Sequence, residues 1–328
     1  MHYPKLQRLF LGLLLLVLPA TGCNQPNSVS TPVSTPVSPV AQTSPQTPKL
    51  KVVTTFLPMY WFTRAVAGDL AQVEVLVPPG SEIHDYQATP NDVQAIAQAN
   101  VLVKNGLGLE EFLESTVKNA QNPKLKQIEA SQGIQPLQEL SPVVKPVEKK
   151  GEGHDHDHAE GNPHVWLDPV LAIKQVENIR DGLIAADPEN KDVYQANAAA
   201  YIKQLQALDE QFQQRLKSFN NQCTFITFHD AFPYLAQRYQ LKQVAVVEIP
   251  EDQLSPDDIQ KTIATVKKYN VKALFGEPGT DNKLLSSLSQ DLNLTLRTLD
   301  PLETGDKDPQ YYITGMKSNL QRIEAACR

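Results

Sequence analysis

Three histidines of this sequence have the chemistry and the placement of metal ligands. His84, His164 and His229 lie far apart along the chain, and each falls in a predicted loop next to the start of a helix. Imidazole is a preferred ligand of zinc and of other transition metals. A carboxylate, Asp281, lies in a similar loop and completes a set of four. These residues predict one buried site that binds a metal ion and performs no reaction on a substrate.

A short tract of alternating imidazoles and carboxylates precedes His164. The tract comprises residues 154–158, within a proline-rich and charged stretch, 138–162, that we predict to be a mobile loop. Alternating histidine and aspartate on a flexible loop can bind metal loosely. A polar insertion with incidental affinity for metal explains the same residues, so both interpretations stay open.

The elements that must position these ligands alternate between strand and helix. Short β-branched runs separated by helical stretches are typical of βαβ units, and therefore of parallel sheets. The predicted strands are Leu50–Phe56, Val73–Val77, Val101–Val103, Thr224–Phe228, Val244–Glu248, Val271–Phe275 and Thr295–Leu299. Open α/β sheets bind ligands beyond the carboxyl ends of their strands, which is where His84, His229 and the loop 277–281 fall.

A long helix is predicted between the two groups of strands. Apolar positions recur every three or four residues over 190–218, which indicates an amphipathic helix of about 29 residues and about 43 Å. We therefore predict an N-terminal α/β lobe at 49–189, a linking helix at 190–219 and a C-terminal α/β lobe at 220–328. The fold class is α/β, with two (β/α) lobes that each contain a mostly parallel sheet.

Residues 1–22 have the features of a lipoprotein signal peptide. A basic segment precedes the apolar run Leu9–Leu18, which is too short to span a bilayer. Cys23 follows a small-residue site, where it would become the lipidated first residue and hold the protein at a membrane, in a periplasmic or extracytoplasmic location. Ordinary cleavage that leaves Cys23 as a free thiol is the alternative. Residues 23–48 are rich in proline, serine and threonine, which predicts a disordered tether.

The acidic balance and the remaining cysteines narrow the class of protein further. A net charge of −7 argues against nucleic acid as a partner and agrees with the capture of cations.

Cys223 and Cys327 are the two other cysteines. In an exported chain they form either one disulfide or two separate buried thiols, and the sequence leaves this choice open.

Five motifs follow one another along the chain. They are His84-Asp85-Tyr86 with Thr89-Pro90, Asn162-Pro163-His164-Val165-Trp166-Leu167-Asp168-Pro169, Asp187-Pro188 with Tyr194, Asn197, Tyr201 and Leu208-Asp209, Phe228-His229-Asp230-Ala231-Phe232, and Phe275-Gly276-Glu277-Pro278. In this order they resemble the cluster A-I metal-binding lipoproteins, the solute-binding components of zinc and manganese ABC importers. The chain looks closest to the zinc-uptake branch of that family, and the resemblance extends from Lys49 to the last residues.

The resemblance implies which metal is bound and by which residues. His84, His164 and His229 match the three imidazole positions of the family, whose members hold the ion between two α/β lobes. Manganese-preferring relatives have glutamate at the third position, so His229 implies Zn²⁺, with Mn²⁺ as the alternative. Asp281 matches an aspartate ligand of many relatives, although the sequence after Glu277 departs from the pattern of the zinc-specific members.

The resemblance also implies the partners and leaves two rival functions. The expected partners are an ABC importer permease and its ATPase, with a membrane contact through the lipid on Cys23, no nucleic acid and a monomeric state. We expect no enzyme activity. A zinc hydrolase with Glu277 or Glu248 as its base, or a surface adhesin, remains the alternative.

Because ligand imidazoles must be neutral, we expect metal affinity to fall as the pH drops through about 6.

Overall fold

A computed structural model describes residues 49–138, 161–247, 256–269, 271, 273–279 and 283–328. The predicted signal peptide, lipidated cysteine and tether lie outside the described residues, as do Glu248 and the tract 154–158. Within the described ranges, eight strands form two sheets of four parallel strands. The predicted α/β class with two parallel sheets is therefore confirmed.

The first sheet has the strand order β2-β1-β3-β4. Its elements are β1 (Leu50–Thr54), α1 (Leu57–Ala67), β2 (Ala71–Val75), α2 (Pro90–Gln98), β3 (Val101–Lys104), α3 (Leu113–Ala120) and β4 (Lys126–Glu129). The central strand β1 pairs in parallel with β2 through Val52 and Val73, and with β3 through Val52 and Val101. The sequence reasoning missed β4, because only Ile128 of its four residues is buried and the strand shows no apolar alternation.

The second sheet repeats this topology in the order β6-β5-β7-β8. Its elements are β5 (Thr224–Thr227), α6 (Pro233–Arg238), β6 (Lys242–Ala245), α7 (Pro256–Tyr269), β7 (Ala273–Gly276), α8 (Lys283–Asp291), β8 (Thr295–Thr298) and α9 (Tyr311–Cys327). Neighbouring strands again run parallel. In both sheets the chain order reverses around the central strand, so the loops beyond the central carboxyl ends are the expected binding positions.

Two helices, α4 (Pro169–Ala186) and α5 (Lys191–Leu216), connect the sheets. The helix α5 has 26 residues, flanked by short 3₁₀ turns, and buries one face that includes Tyr201, Leu208 and Phe212. It packs against α1 and α4 on the side of the first sheet and against α9 on the side of the second. The predicted long helix is confirmed, whereas the lobe boundaries at 189 and 219 stay predictions. One buried apolar cluster runs from Val52 of β1 to Phe225 of β5, so the two sheets share a continuous core.

The predicted helix starts at Thr89 and Asp168 are confirmed, and both cap helices that flank the site. Thr89 and Asp92 form a capping box at the first turn of α2, where Pro90 occupies the first helical position. The side chain of Asp168 accepts hydrogen bonds from two backbone N–H groups of α4. Caps of this kind satisfy backbone donors that the helix itself leaves unpaired, and they fix where the preceding loop ends.

A disulfide joins Cys223 to Cys327. Of the two possibilities that the sequence left open, the structure therefore has the single bridge. It connects the start of β5 to the end of α9 across a sequence separation of 104 residues. No helix within the described ranges is long and apolar enough to cross a membrane.

Candidate metal centre

His84 lies in the loop between β2 and α2. The loop is held at both sides of the histidine, because the side chain of Ile83 is buried and the hydroxyl of Tyr86 donates to Asp92 Oδ2 at 2.9 Å. Asp92 belongs to the capping box of α2, so the cap that starts this helix also anchors the loop. The side chain of His84 is only 5% exposed.

His164 lies in the short segment that leads into α4. The side-chain oxygen of Asn162 accepts hydrogen bonds from the backbone N–H of His164 and from its ring Nδ1, both at 3.0 Å. Two residues further on, the indole N–H of Trp166 donates to the carbonyl of Pro301 at 2.8 Å. The segment that carries His164 is therefore bonded to the loop that follows β8, in the other half of the chain.

His229 lies just beyond the carboxyl end of β5, at the centre of the second sheet. One oxygen of Glu277, which follows the neighbouring strand β7, accepts hydrogen bonds from the backbone N–H of His229 at 3.0 Å and from its Nδ1 at 2.7 Å. The hydroxyl of Thr227 donates to the carbonyl of His229 at 2.9 Å. These bonds orient the imidazole so that its Nε2 faces away from the sheet and toward the other histidines.

A fourth side chain, Glu303, joins the three histidines. It lies in the loop between β8 and α9, whose first turn is closed by a hydrogen bond from Leu302 N to Asp300 Oδ1 at 2.8 Å. Leu302 has a positive φ of 60°, a conformation that non-glycine residues seldom adopt. Asn319 of α9 donates to the carbonyl of Asp300 at 2.7 Å and accepts from its N–H at 3.0 Å, which fixes the turn against the helix.

The donor atoms of these four residues are spaced as the ligands of one ion. His164 Nε2 lies 3.3 Å from Nε2 of His84 and 3.3 Å from Nε2 of His229. Glu303 Oε1 lies 3.1 Å from the Nε2 of His164, 3.4 Å from that of His84 and 3.6 Å from that of His229. Zinc bound tetrahedrally at its usual 2.0 Å would separate neighbouring ligand atoms by about 3.3 Å. The four side chains therefore form a group of metal-ligand size.

The charges at this centre are strongly coupled. Burial lowers the pKa of the His164 imidazole to about 3, although Glu303 acts in the opposite direction. Burial also disfavours the charged form of His229, but Glu277 and Glu303 outweigh it and raise the pKa of His229 well above its ordinary value. For Glu303 burial opposes ionisation, yet His229 and His84 hold its pKa well below the usual range. The surrounding imidazoles thus favour an ionised Glu303, and a proton is held more readily by His229 than by His164.

The structure brings together three of the four residues selected from the sequence. His84, His164 and His229 converge within one group, whereas Asp281 lies outside the described residues. Glu303 was not selected, because it belongs to no motif and stands in an ordinary polar stretch. Its position five residues beyond the end of β8 is the signal that could have found it, since the same rule selected His84 and His229.

The arrangement is suited to holding an ion. Four protein ligands close a tetrahedral zinc site, whereas hydrolytic zinc sites keep one position for water. Glu277, a candidate base in the hydrolase alternative, bonds to the Nδ1 of His229 and so serves to orient that imidazole. Two parallel sheets joined by helices thus bring three imidazoles and a carboxylate together in a group that could hold a metal ion.

Comparison with known proteins identifies the family. The sequence model of the zinc-uptake complex component A, ZnuA, which is described as periplasmic, matches residues 52–326. The chain belongs to this family. The high-affinity zinc uptake system protein ZnuA of Bacillus subtilis is 37% identical over 281 residues, which cover 84% of this chain and 87% of the relative. The resemblance inferred from the five motifs is thereby confirmed.

Two further relatives extend the comparison. The zinc-binding lipoprotein AdcA of Streptococcus pneumoniae serotype 4 is 37% identical over 287 residues, 84% of this chain but 55% of that protein. The Zn(II)-bound structure of AdcA matches with a TM-score of 0.71 over 85% of this chain and 57% of its own. The laminin-binding protein Lmb of Streptococcus agalactiae matches with 31% identity and a TM-score of 0.73 over 85% of this chain and its full length. The chain thus spans about half the length of AdcA.

Proposed function

We propose that this protein captures Zn²⁺ outside the cytoplasm and delivers it to an ABC importer. The observation that carries the proposal is the group of four donor atoms, with separations near those of a tetrahedral zinc site. Membership of a zinc-uptake family also supports Zn²⁺ as the captured ion. The partners that we propose are the importer permease and its ATPase, and the protein acts as a monomer.

The proposed ligands are His84, His164, His229 and Glu303. Three neutral imidazoles and one carboxylate suit zinc, whereas manganese favours oxygen-rich octahedral sites. Asp281, which the sequence predicts as the fourth ligand, is the alternative to Glu303 at that position, and matched variants of the two residues decide between them. Binding of Mn²⁺ is the alternative, and it would require a second carboxylate or water in addition to these four side chains.

Capture of the ion involves a small rearrangement of the two halves of the molecule. The sheets share one apolar core, and the helix α5 packs against elements on both sides, so a wide hinge would break this packing. We infer that binding orders the loops around the ligands, after which the loaded form docks on the permease. Scattering curves of metal-free and loaded protein are expected to give nearly equal radii of gyration, and a large difference would refute this part.

A chelator-competition titration of the purified protein with Zn²⁺ and Mn²⁺ in parallel tests the function. We expect one tight site per chain, with zinc far ahead of manganese. His164→Ala should cost far more affinity than deletion of residues 151–161, because His164 is a ligand and the tract is an accessory. A protein without a tight site, or one in which the deletion costs more than the substitution, would contradict the proposal.

The proposed location is a membrane surface outside the cytoplasm, with a lipid anchor on Cys23. The support is the signal-like sequence 1–22 and the name lipoprotein that AdcA carries. Metabolic labelling with a radioactive fatty acid, with and without Cys23→Ser, tests the anchor. Label that persists in the variant would place the lipid elsewhere.

Adhesion is the second candidate, favoured by one observation. The relative Lmb is described as a bifunctional protein with adhesin and metal-transporting activity, and it matches this fold over its full length. Surface-binding measurements with immobilised laminin test this role. Binding that is no stronger than to albumin would remove it, without affecting the zinc proposal.

A further inference from the structure

The side chain of Asn162 is buried beside two of the proposed ligands and makes hydrogen bonds through both its oxygen and its nitrogen. The residue is 8% exposed. Its Oδ1 accepts from the N–H and the Nδ1 of His164, and its Nδ2 donates to the carbonyl of Asp230 at 2.7 Å. Its backbone is held as well, because its carbonyl accepts from the Tyr234 hydroxyl at 2.5 Å and its N–H donates to the Leu137 carbonyl at 2.9 Å.

These contacts determine which nitrogen of His164 carries the proton. The backbone N–H of His164 can only donate and the carbonyl of Asp230 can only accept, so the amide of Asn162 has one allowed orientation. Its oxygen therefore faces Nδ1, which must carry the hydrogen of that bond. The lone pair of the neutral imidazole is then on Nε2, the atom that lies 3.1 Å from Glu303 and 3.3 Å from the Nε2 atoms of His84 and His229.

The amide nitrogen of Asn162 links the loops of two ligands. His164 lies in the segment before α4, and Asp230 directly follows His229 in the loop after β5. The bond from the Asn162 side chain to the Asp230 carbonyl thus connects the segment that carries His164 to the backbone next to His229. It restrains the separation of their Nε2 atoms, which is 3.3 Å.

The three histidines differ in how their rings are fixed. His229 has a carboxylate partner at Nδ1, His164 has a neutral amide, and the Nδ1 of His84 makes no hydrogen bond to any residue that the structure describes. A neutral partner orients an imidazole without adding charge to a buried centre that already contains Glu303. Partners of this kind typically change metal affinity by about 10- to 100-fold.

Building on the proposed zinc function, we propose that Asn162 is a positioning residue of the metal site. It selects Nε2 of His164 as the ligand atom and sets the distance of that atom from His229. A purely structural role in the loop would affect folding but would not determine the tautomer of His164.

The tautomer can be measured on the unaltered protein. Histidine labelled with ¹⁵N gives a distinct pattern of two-bond ¹⁵N–¹H correlations for each tautomer, and His164→Ala assigns the signals. We expect His164 to keep a proton on Nδ1 in the metal-free protein and to coordinate Zn²⁺ through Nε2. Coordination through Nδ1, or an Nδ1 without a proton, overturns the proposal even if variants of Asn162 fail to fold.

Two substitutions separate the roles of the amide oxygen and nitrogen. Asn162→Ala removes both and should lower zinc affinity by about 10- to 100-fold. Asn162→Asp keeps an oxygen for His164 but places a second acceptor against the Asp230 carbonyl, so it should also lose zinc affinity while keeping the Nδ1 proton signal of His164. The matched control is Asn178→Ala, because Asn178 also donates to two backbone carbonyls, at 2.7 and 2.9 Å, yet contacts no ligand.

The outcomes distinguish this proposal from the function on which it rests. Zinc binding by Asn178→Ala should stay within twofold of the unaltered protein. If Asn162→Ala also stays within twofold, or if Asn162→Asp loses the Nδ1 proton signal of His164, the positioning role is wrong. If the unaltered protein has no tight zinc site, the proposed function fails instead.

Discussion

Replacement of Glu303 by glutamine is the sharpest test of the ligand set. The substitution keeps the size and shape of the side chain and removes only its charge. The carboxylate is 1% exposed, and its Oε1 lies 3.1 to 3.6 Å from the three imidazole Nε2 atoms. When zinc is bound, Glu303 carries the only negative charge among the four proposed ligands, because the three imidazoles are then neutral.

The size of the effect follows from the burial of this charge. Removal of one partner from a buried charge pair typically costs about 3–5 kcal/mol, because the remaining charge is left without compensation. At about 1.4 kcal/mol for each factor of ten, zinc affinity should fall by about 140- to 3,700-fold. The companion variant Asp281→Asn removes the carboxylate that the sequence indicated, and we expect it to stay within about threefold of the unaltered protein, since a closed tetrahedral site has no place for a fifth ligand.

Chelator competition at pH 7.5 measures both variants against the unaltered protein. Thermal unfolding of the metal-free forms is the control for folding. The reasoning would be refuted if Glu303→Gln bound zinc within tenfold of the unaltered protein, or if Asp281→Asn lost as much affinity as Glu303→Gln. The second result would assign the fourth position to Asp281.

Three further predictions follow from the charges, the disulfide and the core. Zinc must displace the proton of His229, whose pKa is raised. Zinc affinity should therefore already decline as the pH falls from 8.5 to 6.5. A chelator titration that gives the same zinc affinity across this range would contradict the prediction. Replacing Cys223 and Cys327 by serine should lower the free energy of unfolding by about 2–4 kcal/mol, measured by urea denaturation, and leave zinc affinity unchanged within threefold. Leu208→Ala in the buried face of α5 should cost about 2–5 kcal/mol in the same assay, whereas the exposed Val193→Ala, at 44% exposure, should cost less than about 0.5 kcal/mol.

Much of the fold could be predicted because local chemistry and global arrangement agree in this chain. Thr89 and Asp168 start helices by the same capping bonds that the sequence suggests. The buried face of α5 follows the predicted spacing of three and four residues. Strand limits were less accurate, since β2 ends at Val75 and β6 ends at Ala245, two and three residues before the ends predicted from apolar runs. Apolar residues beyond a strand can be buried without joining its hydrogen-bonded ladder.

The site could be predicted only where residue type is informative. Histidine is rare in this sequence, so three histidines next to predicted helices or strands attract attention, whereas one glutamate among many does not. Glu303 reaches the histidines because of two contacts, the turn at Asp300 and the hydrogen bond from the Trp166 indole to the Pro301 carbonyl. The second contact joins segments that lie far apart in sequence. Such contacts arise from tertiary packing, and no local pattern encodes them.

The hydrogen bond from the backbone N–H of Asn162 to the carbonyl of Leu137 affects which changes in length the chain can tolerate. It brings together the two described segments on either side of residues 139–160, directly beside His164. A chain closed at this point can gain or lose residues between 138 and 161 without changing the path of the segment that bears the ligand. The length and composition of this stretch can therefore change independently of the positions of the four proposed ligands, which makes it a separable module of the chain.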